Sequence, residues 1–217
     1  MSAVVAVLSV VAALAALANW EAYRAANVRL NWWTKPVVSG ALLAIALVGQ
    51  GAHAGARVWW VAALVGCLAG DLLLMLPSDQ FVAGLAAFLV GHVAFIVGLT
   101  QLRSAPGHAA NGVRLALGVA AIVAGWGFVA PRVLAAVRRT HRPLLVPVVA
   151  YIVTISAMVL LASSWGGWWG LEGALLFFVS DSMLAWNRFV RASRPLAVAV
   201  IVAYHGALVA LLVSLFR

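Results

Sequence analysis

The chain has little of what keeps a protein in water. Charged residues make up 9% of its 217 positions, hydrophobic ones 66%, and the mean hydropathy is +1.10. Such values lie outside the range of a soluble globular domain and imply an integral membrane protein. Cysteine occurs once, at Cys67, which excludes an intrachain disulfide and a cysteine-based metal cluster; a lone cysteine in such a chain reads as a small buried apolar filler. Lysine also occurs once, at Lys35, beside an expected helix boundary rather than at mid-membrane, which disfavours a retinal-type Schiff base. No HExxH pattern is present, and no stretch between the apolar runs is polar enough for a soluble domain.

What is there is a series of apolar windows, at about 3–20, 36–50, 58–76, 81–101, 113–130, 143–162, 168–187 and 196–216. Each is close to the roughly 20 residues needed to cross a ~30 Å hydrocarbon core. The expected fold is all-α: a polytopic membrane bundle of about eight transmembrane helices, forming a single domain over residues 1–217. The first window lacks a preceding Lys or Arg and is read as a membrane helix rather than a cleaved signal. "TKP" and "HRP" place Pro36 and Pro143 in the first turns of helices, and "LPSDQF" supplies a tight turn.

The formal charge of +9 does not indicate nucleic acid, because the basic residues cluster in short loops. Loops on one face hold Arg24, Arg29, Lys35, Arg132, Arg138, Arg139, Arg142, Arg188, Arg191 and Arg194; the other face holds only Arg57, Arg103, Arg114 and Arg217. The positive-inside tendency makes the first face cytoplasmic and both termini extracytoplasmic. Most of the ten tryptophans fall at expected helix ends, as interfacial anchors. Gly66 and Gly70, and Gly84, Gly91 and Gly98, recur at spacings that let helices approach closely.

Two carboxylates break the apolar pattern. Asp71 in "GDLLLM" and Asp181 in "FVSDSMLAW" each fall about five residues before the basic-side end of a helix. An ionised Asp near the bilayer centre costs about 3 kcal/mol, so packing alone does not account for two. His92 and His205 lie on the helices that follow, and their side chains lean back toward the Asp level. Asp71 with His92, and Asp181 with His205, thus form two similar hairpins, as though two four-helix repeats composed the chain. Two neighbouring carboxyl groups, one protonated and one not, are a general acid beside a general base. Tyr151, Tyr204, Ser180 and Trp186 lie near enough along their helices to join this set. Arg188, followed by Arg191 and Arg194, is placed to meet a lipid phosphate.

These residues, taken with their order and spacing, resemble the YhhN family of bacterial and animal membrane proteins, which includes lysoplasmalogenase. The resemblance rests on "KP" at Lys35 and Pro36, "GDLLLM", "FVAGLAAFLVGH" from Phe81 to His92, "GALLFFVSDSMLA" and "AYHGAL". It departs from the family pattern at Phe95 and Leu208. The resemblance implies an eight-span bundle in a bacterial plasma membrane that hydrolyses the vinyl ether bond of lysoplasmalogen, giving a fatty aldehyde and a glycerophospho-headgroup compound. It makes Asp71 and Asp181 the catalytic carboxylates with His92 beside them; Lys35, Tyr151, Tyr204, His205 and Arg188 are then the candidate substrate-binding residues. No metal or organic cofactor is expected, since a protonated carboxyl can deliver a proton to the enol ether and its partner can stabilise the cation that results. Three alternatives share the same residues: a metal-dependent lipid hydrolase using Asp71, Asp181, His92 and His205, a bis-histidine haem protein and a proton-coupled transporter.

Overall fold

The computed structural model describes residues 2–103 and 110–217. Among the described residues there are eight long helices and no strand: α1 (Ala3–Ala25), α2 (Val28–Val48), α3 (Ala54–Met75), α4 (Phe81–Gln101), α5 (Gly112–Thr140), α6 (Leu145–Trp165), α7 (Gly167–Phe189) and α8 (Arg194–Ser214). Their outer faces carry exposed apolar side chains such as Val7, Phe128 and Val146, while the few buried polar groups point inward. This inside-out arrangement, with six helices long and apolar enough to cross a membrane, is that of an integral membrane protein. The other two, α2 and α7, are as long as their neighbours but carry Arg29 and Lys35, and Glu172, Asp181 and Arg188. With α3, which carries Asp71, they bring charge into the bundle.

Two helix boundaries differ from the expected ones. Pro36 lies inside α2, not in its first turn, because Asn27 caps a helix that starts eight residues earlier by accepting from the Leu30 amide at 3.0 Å. The extra two turns hold Asn31 and Thr34, whose side-chain oxygens each accept a 2.8 Å hydrogen bond from the buried Asn19 amide of α1. Likewise α5 does not stop near residue 130. Pro131 has no N–H to donate to Gly127, and the ladder widens to a π segment over Gly125–Val129, with the Ala130 amide bonded to the Gly125 carbonyl. The helix then continues to Thr140. Pro143 sits in a 3₁₀ turn, Arg142–Leu144, that opens α6.

Close helix packing sets the spacing around the site. A Cβ on Gly66 of α3 would stand 2.9 Å from the Gly91 amide nitrogen of α4, and one on Gly91 would stand 3.0 Å from the Ala63 carbonyl. The two backbones therefore touch, which only glycine permits. Gly70 and Gly98 accommodate the rings of Phe88 and Trp60 in the same seam. Trp60 departs from the interfacial expectation: it is fully buried, and its indole N–H donates to the Leu211 carbonyl of α8 at 2.7 Å. A buried indole needs that acceptor, so Trp60 ties the α3–α4 pair to α8 rather than anchoring the chain at the membrane surface.

Candidate active site

Asp71 lies four residues before the end of α3, fully buried. Its charge is met by α2. Lys35 Nζ stands 3.0 Å from Oδ1, and Ser39 Oγ donates to Oδ2 at 2.6 Å. Lys35 and Ser39 are one helical turn apart, so a single face of α2 supplies both donors. The third donor comes from α8, where the Tyr204 hydroxyl reaches Oδ2 at 2.8 Å. A carboxylate held by an ammonium and two hydroxyls is held in one orientation.

Asp181 of α7 has a different set of neighbours. The Tyr151 hydroxyl of α6 donates to its Oδ2 at 2.7 Å, and His92 Nε2 of α4 lies 3.5 Å from the same oxygen. His92 Nδ1 is 2.7 Å from the Phe88 carbonyl, which can only accept, so Nδ1 carries the proton and a lone pair on Nε2 faces Asp181. Among the described residues no Lys or Arg pairs with Asp181, whose side chain keeps 12% of its surface accessible against none for Asp71. The two carboxyl groups are chemically unlike: one is sealed and neutralised, the other opens to a cavity.

Aromatic rings lie between them. His92 packs edge-on against Tyr151 and Phe177, at 5.2 and 4.5 Å between centroids, and Phe177 and Phe88 pack edge-on against Tyr204. The resulting links cross between the halves of the chain. Asp71 is served by α2 of its own half and α8 of the other, and Asp181 by α6 of its own half and α4 of the other. The expected hairpin pairings, Asp71 with His92 and Asp181 with His205, are therefore replaced: His92 goes to Asp181, and Tyr204 rather than a histidine reaches Asp71.

Asp181 lines two spaces. One is a polar cavity of about 350 Å³ whose wall includes Lys35, Asp71, Tyr204, Tyr23, Asn31 and Asn187, and whose rim holds Asp79 and Arg188. Those residues come from α1, α2, α3, α7 and α8 and from the α3–α4 turn, most of them near the basic-side ends of the helices. The other is an apolar cavity of about 70 Å³ bounded by Leu85, Phe88, Gly125, Val129, Ile155 and Phe178, with Tyr151 and Asp181 at its polar end. Its wall includes the π segment of α5, and a Cβ on Gly125 would collide with the Phe178 ring.

The remaining candidates are placed as follows. Arg188 is at the rim of the polar cavity, its guanidinium paired with both oxygens of Asp79 at 2.7 and 3.1 Å and 4.9 Å above the Phe81 ring. His205 is apart from the carboxylates. It accepts from the Trp20 indole at Nδ1, 3.0 Å away, and lines a separate crevice between α1, α2, α7 and α8. Ser180 donates to the Val200 carbonyl, and Cys67 is fully buried. Among the described residues no three His, Cys, Asp or Glu side chains are grouped as a metal would require. Ser39, Asp79 and Phe81 escaped the sequence reading; Ser39 could have been found as the residue one turn beyond Lys35 on the same face.

The sequence profile of the YhhN family matches residues 30–215. The chain is 36% identical over 160 residues to proteins named lysoplasmalogenase from Mycobacterium bovis and Mycobacterium tuberculosis, covering 70% of this chain and 58% of each relative. It is 31% identical over 173 residues to Lysoplasmalogenase TMEM86B of Mus musculus, covering 76% of this chain and 67% of that one. The chain thus spans 58% of the length of the mycobacterial relatives it matches. No solved structure matches. With a profile match over most of its length, and with Lys35, Asp71, His92, Asp181 and Tyr204 all within the matched span, this chain belongs to the YhhN family.

Proposed function

We propose that the chain is a membrane-embedded hydrolase that cleaves the vinyl ether bond of a lysoplasmalogen-type lipid. The observation that carries this reading is the place of Asp181, where a polar cavity and an apolar one meet. A lyso-ether lipid has a polar glycerophospho end and an apolar chain, joined at the enol ether. With its headgroup in the first cavity and only the first carbons of its chain in the small second one, the scissile group lies against Asp181.

The two carboxyl groups then divide the work. Asp181, which has no fixed cation, holds a proton and delivers it to the β-carbon of the enol ether, leaving an oxocarbenium ion. The surrounding ring faces stabilise that cation, and Asp71, held by Lys35, Ser39 and Tyr204, fixes the facing wall of the cavity. Water adds to the oxocarbenium carbon as Asp181, now a carboxylate, takes its proton; the His92 Nε2 lone pair behind Asp181 keeps the group oriented and can share that proton. Collapse of the hemiacetal breaks the carbon–oxygen bond to glycerol and releases a fatty aldehyde. His92 borders neither cavity, so it acts through Asp181. Arg188 is seven residues past Asp181, two turns or about 10 Å along the same face of α7, an interval that the glycerol backbone and the arginine's own reach can bridge. It is the phosphate contact.

By the positive-inside tendency the polar cavity opens toward the cytoplasm and both termini lie outside. Substrate then enters from the inner leaflet of a bacterial plasma membrane.

The test is aldehyde release from lysoplasmalogen by detergent-purified protein, beside Asp181→Asn and with EDTA present. The wild type is expected to release aldehyde irrespective of chelator, and Asp181→Asn to fall by at least the roughly 10²–10⁴-fold that a lost general acid costs. Full activity in Asp181→Asn would sink the mechanism; activity abolished by EDTA would replace it with metal-assisted hydrolysis.

A further inference from the structure

Five charged side chains line the polar cavity: Lys35, Asp71, Asp79, Asp181 and Arg188. Lys35 and Asp71 neutralise each other in the sealed wall, and Asp181 stands at the junction with the apolar cavity. Only Asp79 and Arg188 are left to meet the charges of a headgroup, and they have opposite signs. We propose that they select a zwitterionic headgroup, Arg188 taking the phosphate and Asp79, with the face of Phe81, taking the ammonium. This rests on the seating of the lipid described above.

The unliganded contacts have the pattern of the complex. The Asp79 carboxylate sits on the Arg188 guanidinium in a two-oxygen contact, where a phosphate would sit. The guanidinium in turn lies over the Phe81 ring beside Asp79, where an ammonium or trimethylammonium would sit. Each protein group holds the place of the ligand group of its own sign. The exchange is easy because the pair is exposed at the rim, with 38% of the Arg188 side chain and 68% of the Asp79 side chain accessible, and an exposed pair contributes little. Asp79 is also one of two non-glycine residues with positive φ among those described, at 46°. This left-handed residue of the α3–α4 loop places the Asp79 backbone beside Phe81 at the start of α4. An anionic headgroup lacking the ammonium meets the same arginine but leaves Asp79 facing negative charge.

Binding is the appropriate readout, because it does not require turnover. Two saturated-ether probes with one alkyl chain serve, 1-O-alkyl-lysophosphoethanolamine and 1-O-alkyl-glycerol 3-phosphate, titrated calorimetrically into the detergent-purified protein. The wild type is expected to prefer the zwitterion. Asp79→Asn should lower the affinity for the ethanolamine probe about two- to fivefold, as loss of one exposed charge contact implies, and leave the phosphate probe bound at least as tightly. Asp79→Glu should restore the preference, and Phe81→Leu should weaken a choline probe more than the phosphate probe. An affinity ratio unchanged in Asp79→Asn, whether both affinities fall or neither does, overturns the proposal, as does a wild type that binds neither probe. Aldehyde release from the vinyl ether substrate stands or falls separately.

Discussion

The buried pair of Lys35 and Asp71 permits the most demanding test. Replacing Asp71 by Asn removes the anion and leaves an ammonium in the bundle interior, at a nitrogen that now stands 3.0 Å from an amide. Breaking one partner of a buried ion pair costs about 3–5 kcal/mol, whereas replacing both with neutral side chains is often close to neutral. Asp71→Asn should therefore lower the melting temperature in detergent by on the order of 10 °C, taking roughly 2–4 °C per kcal/mol for a chain of this size. The double variant Lys35→Met with Asp71→Asn should regain most of that loss. Tyr204 and Ser39 can still donate to the Asn carbonyl, so the remaining difference is small. Aldehyde release should stay low in both variants, because neither restores the ion pair that fixes the cavity wall. Thermal unfolding followed by tryptophan fluorescence, with aldehyde release on the same samples, separates the two effects. A single variant as stable as the wild type, or a double variant that is active, would show that the pair does neither job.

Other outcomes follow from the geometry. Tyr151→Phe removes the one hydroxyl on Asp181; it should slow aldehyde release about tenfold or more while leaving the melting temperature within a few degrees, since one hydrogen bond contributes about 1 kcal/mol net. Gly66→Ala pushes a methyl group to within 2.9 Å of the α4 backbone, and should destabilise the protein by about 1–3 kcal/mol in the same melting assay. Gly125→Ala makes the Phe178 ring in the wall of the apolar cavity shift, so KM should rise for substrates of every chain length; an unchanged KM would argue against that cavity as the seat of the first chain carbons.

Much of this site was legible from cost alone. A carboxylate within an apolar run has to be compensated or useful, which singled out Asp71 and Asp181, and depth along the helices brought His92 to the right level. What sequence could not supply was the rotation of each helix. His205 is at a depth comparable with His92, yet its ring is turned toward Trp20 of α1, and no periodicity in an apolar helix says which neighbour a face will meet. Lys35 was misjudged because the polar and aromatic residues before it read as a loop; the Asn27 cap makes them helix and carries the lysine into the interior. Ser39 follows only once Lys35 is known to be helical, as the residue one turn further along the face that meets Asp71. The family resemblance named Lys35 and Tyr204 but could not say that both converge on Asp71.

The crossed service of the two carboxylates has a consequence for how such a chain can be divided. A fragment ending at residue 103 would keep Asp71, Lys35 and Ser39 but lose the tyrosine that completes the anion's shell; a fragment beginning at residue 110 would keep Asp181 and Tyr151 but lose the imidazole behind it. Neither half is a weaker enzyme than the whole, because neither contains a finished centre. Co-expressed as separate polypeptides they carry every group needed, so fragment complementation in the membrane should restore what each lacks. By the same reasoning, a single four-helix ancestor could have assembled both environments only by pairing with another copy of itself.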